Sequence, residues 1–179
     1  FHKKSVDEAP LPDNSQDFGY SLGVLHHVPD TGSAIKQCAD MLKPGAPFLM
    51  YLYYAMENKS FFYRVIWRCS DFFRKIICRL PSGIKHTVTD FIAITIYFPF
   101  ARLSLILKKL GMNTAGIPLS FYSNCSFYTM RTDSRDRFGT PLEQRFTQSE
   151  IELMMLEAGF KNIRFNDAEP RWCVVGIKS

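Results

Sequence analysis

The chain has 179 residues, a length that suits one domain with a sizeable core. Apolar residues make up 46% and charged residues 22%, which excludes bulk disorder. The formal net charge is +5, leaving anionic partners open, and the five scattered cysteines lack CxxC spacing, which argues against a disulfide framework or zinc knuckle and for a reducing cytoplasm.

Residues 1–17 are polar and end in the turn cluster PLPDNSQD. Phe18 to Val28 reads as a strand, apolar on both faces as a central parallel strand is. It ends on His26 and His27. Pro29 stops the ladder, and Asp30 or Thr31 caps a helix running to about Leu42, with Ala34, Ile35, Cys38, Met41 and Leu42 on one face. Lys43 suits the helix C-terminus and Pro44-Gly45 stops it. Phe48 to Tyr54 is a second apolar strand, so the segment is a βαβ unit with a parallel pair.

Residues 58–118 break this rhythm. Phe61 to Leu80 is an amphipathic helix with a polar stripe of Arg64, Arg68, Asp71, Lys75 and Arg79. A second helix is expected over Thr87 to Leu110, kinked at Pro99. Residues 130–147 (MRTDSRDRFGTPLEQRFT) read as a mixed-charge loop. Such a loop is either a solvated surface laced with ion pairs or a substrate loop using Arg135, Arg137 and Glu143. Thr147 and Glu150 then form a capping box for a helix that stops at Gly159. Lys161 to Phe165 and Trp172 to Ile177 are expected to close the chain as an antiparallel hairpin.

Four segments in this order, PLPDNSQDFGYSLGVLHHVPD, ADMLKPGAPFLMYLYY, RFTQSEIELMMLEAGFKNI and WCVVGIKS, resemble the second half of a class I S-adenosylmethionine-dependent methyltransferase. The resemblance implies an α/β, Rossmann-like sheet with a helical insert, its last strand running antiparallel between the two before it. It implies S-adenosyl-L-methionine as cofactor, held near Ser21, Leu22, Gly23 and Val24, with adenine recognition near Ser5, Val6 and Asp7. Ser5 stands where many members carry an acidic residue, with Asp7 and Glu8 slightly late. The family's glycine-rich loop and ribose-binding acid are not in the sequence. The chain is therefore expected to be the C-terminal part of such a domain, incomplete at its N-terminus and inactive alone. The expected parts are 1–57 as cofactor-binding core, 58–118 as insert, and 119–179 as substrate loop, last helix and hairpin.

Ligands in open α/β sheets sit outside the carboxyl ends of the strands. There, His26 or His27 is a candidate general base for methyl transfer, or else a pocket wall or helix cap. A shared metal is disfavoured, because neighbours on a strand point to opposite faces. Tyr51, Tyr53 and Tyr54 reach the same edge as candidate substrate contacts or as packing against the insert. The insert is expected to act as a lid. Peripheral membrane contact through 61–80 is the second reading and a spanning helix over 88–107 the third. The expected acceptor is a small molecule, glycan or lipid-like compound, not nucleic acid, because the basic residues form no single patch. The alternative is a non-catalytic module that binds a membrane or a protein. Localisation follows as cytoplasmic, with membrane association through 61–80 as the variant.

Overall fold

A computed structural model describes residues 4, 6–55, 60–114, 116–166 and 173–179, the side chain of Asp7 excepted. In chain order its main elements are β1 (Gly19–Leu22), α1 (Thr31–Met41), β2 (Pro47–Tyr51), α2 (Phe61–Ile77), α3 (Ser82–Ile92), α4 (Phe98–Lys109), α5 (Phe127–Gly139), α6 (Gln148–Glu157), β3 (Phe160–Phe165) and β4 (Cys173–Lys178). The chain divides into two compact units, Phe1–Asn58 with Leu142–Ser179, and Lys59–Pro141.

The first unit is an open α/β sheet with strand order β1-β2-β4-β3. β1 and β2 are parallel, joined through α1 as the βαβ spacing requires. β4 runs antiparallel between β2 and β3. This is the Rossmann-like arrangement expected from the order of the sequence segments. Asp30 caps α1 by accepting from the Ser33 N–H at 2.9 Å, a bond that also holds its carboxyl below the usual carboxylate range. Thr147 and Glu150 form the expected reciprocal capping box on α6, and Gly159 ends that helix at φ +86°. α1 and α6 cover one face of the sheet. Ile35, Ala39, Phe48, Met50, Ile151, Met155 and Val174 form its core there.

β1 differs from expectation. It has four residues, not eleven, and it lies at the end of the sheet among the described residues. Its alternate residues Tyr20 and Leu22 are exposed, so the strand is not buried on both faces. A continuous apolar run does not reveal which of its faces is covered.

The second unit is helical. α2 ends at Ile77, a turn earlier than expected. α3 and α4 form one continuous rod over Ser82–Lys109, and a five-residue π segment, Ala93–Tyr97, sits just ahead of Pro99. At the position where a proline kink was expected, the hydrogen-bond register changes, and this accommodates the missing N–H of Pro99. Residues 130–139, expected in a loop, are helical: α5 is capped by Ser126 and buries Met130, Ser134 and Phe138. The expected insert boundary at 118 falls inside this unit, because α5 packs on α2 and α3.

Candidate functional site at the carboxyl edge of the sheet

β1 stops because Gly23 adopts φ +70°, a left-handed conformation that disfavours side chains. Its N–H still donates to the Tyr51 carbonyl at 3.0 Å, so the turn remains fastened to the end of β2. The chain then enters a 3-10 turn, Leu25–His27, in place of the expected strand. This puts His26 and His27 on a tight turn with ring centroids 4.0 Å apart, not on opposite faces of a strand. The steric argument against a shared metal therefore fails. Among the described residues, however, no third His, Cys, Asp or Glu joins them.

Residues 142–146 are laced along this turn and along the end of β2. Gln144 donates its N–H to the His26 carbonyl at 3.0 Å and its side-chain amide to the Val28 carbonyl at 2.6 Å. Thr31 Oγ1 donates to the Leu25 carbonyl at 2.9 Å. Phe146 donates to the Tyr53 carbonyl, Ala55 donates to the Phe146 carbonyl, and Arg145 reaches the Tyr54 carbonyl at 3.3 Å. The carbonyls of an otherwise irregular segment are thus satisfied, and the turn is held in one conformation.

The two histidines occupy different environments. His26 is fully buried, with its ring stacked on Tyr53 at 3.9 Å. Neither ring nitrogen has a hydrogen-bond partner among the described residues. Burial, followed by the neighbouring His27, lowers its pKa to about 4, so the ring is neutral near pH 7. His27 is half-buried, and its Nδ1 lies 2.7 Å from the Leu142 carbonyl. A carbonyl only accepts, so Nδ1 carries the proton and Nε2 is the basic nitrogen. His27 therefore has the arrangement of an oriented base, whereas His26 has no surface through which to reach a substrate.

The remaining candidates fall into three groups. Ser21, Leu22, Gly23 and Val24 do lie together at the carboxyl end of β1, with Leu22 and Val24 exposed. Val6 and the backbone of Asp7 lie in a 3-10 turn, Val6–Glu8, and Val6 packs against the core. Ser5 lies outside the described residues. Tyr51 and Tyr53 are brought to the edge with ring centroids 5.9 Å apart, while Tyr54 bridges to Phe146 and packs on the core.

Of the charged candidates, Glu143 stays beside the histidine turn, where its charge acts on His26, and the two arginines do not. Glu143 pairs with Arg145 at 2.9 Å with its side chain only 2% exposed, and the Arg145 guanidinium lies over Tyr53 at 5.1 Å. Arg135 makes two bonds to Asp90, at 2.8 and 2.7 Å. Arg137 bonds Ser70 and lies over Trp67. Arg135 and Arg137 belong to α5 in the helical unit, the first in an ion pair with Asp90 and the second against Ser70 and Trp67. A substrate loop spanning 130–147 does not form, because half of that stretch is helix. Gln144 and Leu142, which fix the histidine turn, were not singled out from sequence, since backbone carbonyl partners leave no residue-type signal.

The site is thus the carboxyl edge of an open α/β sheet, a position that in this class of fold receives ligands. Residues 1–50 match the family described as Methyltransferase domain, a stretch that spans the β1–α1–β2 unit and the histidine turn. No curated protein matches the sequence. Among solved structures, the chain is similar to a SAM-dependent methyltransferase of Thermotoga maritima, described as a possible histamine N-methyltransferase. The identity is 13% over 97% of this chain and 61% of that one, with a TM-score of 0.46. It is also similar to a SAM-dependent methyltransferase of Methanosarcina mazei (15% identity, 98% of this chain, 65% of that one, TM-score 0.48). A third is human N-acetylserotonin methyltransferase in complex with SAM (15%, 100% and 33%, TM-score 0.47). The chain spans less than two thirds of each of these structures.

Proposed function

We propose that the protein transfers a methyl group from S-adenosylmethionine to a small-molecule, glycan or lipid-like acceptor. One coincidence carries this reading: the methyltransferase-family match over residues 1–50 contains the parallel βαβ unit whose carboxyl edge is Gly23–His27. The residues there suit the group. Leu22 and Val24 offer exposed apolar surface for an adenine or methionine chain, and Gly23 keeps the backbone bare between them. Ser21 and the segment 5–7 are assigned to cofactor and adenine recognition in this reading, since they fall within the family-matched stretch. When bound, S-adenosylmethionine supplies a methyl group on a positively charged sulfur.

The chain's own residues then orient the acceptor and manage its proton. His27 holds Nε2 as the proton acceptor, its tautomer fixed by the Leu142 carbonyl. Tyr51 and Tyr53 flank the same edge and favour a flat or apolar acceptor. Most of the rate acceleration would come from alignment, with the base contributing less. The five free cysteines support a reducing compartment such as the cytoplasm.

Binding of S-adenosylhomocysteine to the Gly23→Val variant tests the reading. The left-handed backbone makes a branched side chain a cost to stability, while the side chain itself would fill the bare surface at Gly23, so affinity should fall by about tenfold if this turn lines the cofactor. Unchanged affinity in a folded variant places the cofactor elsewhere and overturns it.

A further inference from the structure

In the unit Lys59–Pro141 a small apolar core of Ile77, Tyr97, Met130 and Phe138 is buried, yet α2 and Ser82–Lys109 also turn small and polar residues inward and leave many large apolar residues outside. Along α2 the inward stripe is Tyr63, Trp67, Ser70, Arg74 and Ile77, with Arg74 only 3% exposed. Phe62, Ile66, Phe73 and Ile76 face outward, Phe62 at 78% exposure. Ser82–Lys109 likewise has an exposed apolar side, although Tyr97 is buried among its small inward residues. There Thr89, Ala93, Ala101 and Ser104 are fully buried, whereas Phe91, Ile94, Leu103 and Ile106 are exposed. A helix packed for water hides most of its large apolar residues. Small residues between helices and bulky apolar residues outside them is the packing used where the surroundings are themselves apolar.

The charges identify those surroundings. With about 100° of rotation per residue, Phe62, Ile66, Phe73 and Ile76 share one arc of α2. The exposed Phe61, Val65 and Phe72 widen that arc on one side, and Arg68, Lys75 and Arg64 follow them in turn, between the widened arc and the buried stripe. Lys75 also pairs with Asp71 at 3.1 Å, and both arginines are exposed. An apolar arc edged by cations is what an interfacial helix presents to lipid. A second copy of the chain would bring the same cations against its own apolar face, whereas anionic headgroups would neutralise them.

We propose that this helical unit docks on an anionic lipid bilayer. α2 lies in the interface plane, with Phe62, Ile66, Phe73 and Ile76 below the headgroups and Arg64 and Arg68 at the lipid phosphates. Ser82–Lys109 is long and apolar enough to cross a membrane by length and composition, with mean hydropathy 1.6 and 22% of its window buried. Its charges nevertheless tie it to the rest of the unit. Asp90 is held by Arg135, and Arg102 donates to the Ser123 and Cys125 carbonyls. Docking on the surface keeps these bonds. The proposal stands apart from the methyl-transfer reading, and its test reads only membrane partition.

The experiment is sedimentation of the full chain with vesicles of phosphatidylcholine alone, and of phosphatidylcholine mixed with phosphatidylglycerol. The chain should bind the mixed vesicles more tightly than the neutral ones and release with rising salt. Phe62→Ser with Phe73→Ser, and separately Arg64→Glu with Arg68→Glu, should each weaken binding by about tenfold or more. All four positions are exposed, so the variants should keep the wild-type circular dichroism spectrum. Amide exchange of the unaltered chain gives a second readout, with vesicle-induced slowing expected in α2 and Ser82–Lys109. The proposal is overturned if mixed vesicles leave the chain in the supernatant, if neutral vesicles bind it equally well, or if the slowing falls elsewhere. Retention by the membrane in alkaline carbonate would replace docking with spanning. A dimer that the phenylalanine pair abolishes would replace lipid with a second copy.

Discussion

His26 and His27 are neighbours in sequence and differ in nearly everything else. His26 is buried and neutral, so it binds a proton more weakly folded than unfolded. Between the unfolded value near 6.5 and the folded value near 4, the unfolded chain holds more protons at this site. Its contribution to stability is therefore complete above pH 6.5 and is lost as pH falls toward 4. The melting temperature of His26→Phe should decline less over that window than that of the unaltered chain, as scanning calorimetry can measure. For His27, truncation to Ala should lower kcat by about 100-fold while leaving S-adenosylmethionine affinity nearly unchanged. Equal loss of affinity and turnover would instead make it a wall of the pocket. The sequence marked the pair but could not separate its members. Separation depends on the Leu142 carbonyl and the Tyr53 ring, contacts that arise only once the chain is folded.

At the scale of elements, the buried polar stripe of α2 has a measurable consequence. Arg74 donates to Asp71 and to the carbonyls of Thr140 and Pro141, so it holds the end of α5 against α2. Arg74→Met would leave Asp71 and both carbonyls without that donor, and should cost about 3 kcal/mol in chemical denaturation. Losing the α6 cap is a smaller change. Thr147→Ala should cost about 1 kcal/mol, since one reciprocal pair disappears at an exposed helix end. This cap was legible because its spacing is local. The helix α5 was hidden by its charges. Arg131, Asp133, Arg135, Asp136 and Arg137 suggest solvent, yet Met130, Ser134 and Phe138 recur every four residues and form the buried face. Weighing that spacing above composition would have found it. The truncated β1 was not recoverable in this way, because a glycine within an apolar run can continue a strand or end it.

For the whole molecule, the order of segments carried the fold. The parallel β1–β2 pair and the insertion of β4 between β2 and β3 follow the arrangement that the four sequence segments imply. Amphipathicity of α2 was equally plain, but which face turns inward was not, since periodicity gives a stripe and not its direction. That direction separates a lid packed by its apolar side from a unit that offers that side to lipid. In the other unit, the stretch that matches the methyltransferase family folds to present Gly23–His27. Ultraviolet cross-linking of radiolabelled S-adenosylmethionine to the native protein, followed by peptide mapping, tests directly whether the cofactor binds there. The label should appear on the peptide that contains Tyr20 to His27, and competition by S-adenosylhomocysteine should remove it. Label confined to other peptides, or insensitive to that competitor, would contradict a cofactor site at this edge of the sheet.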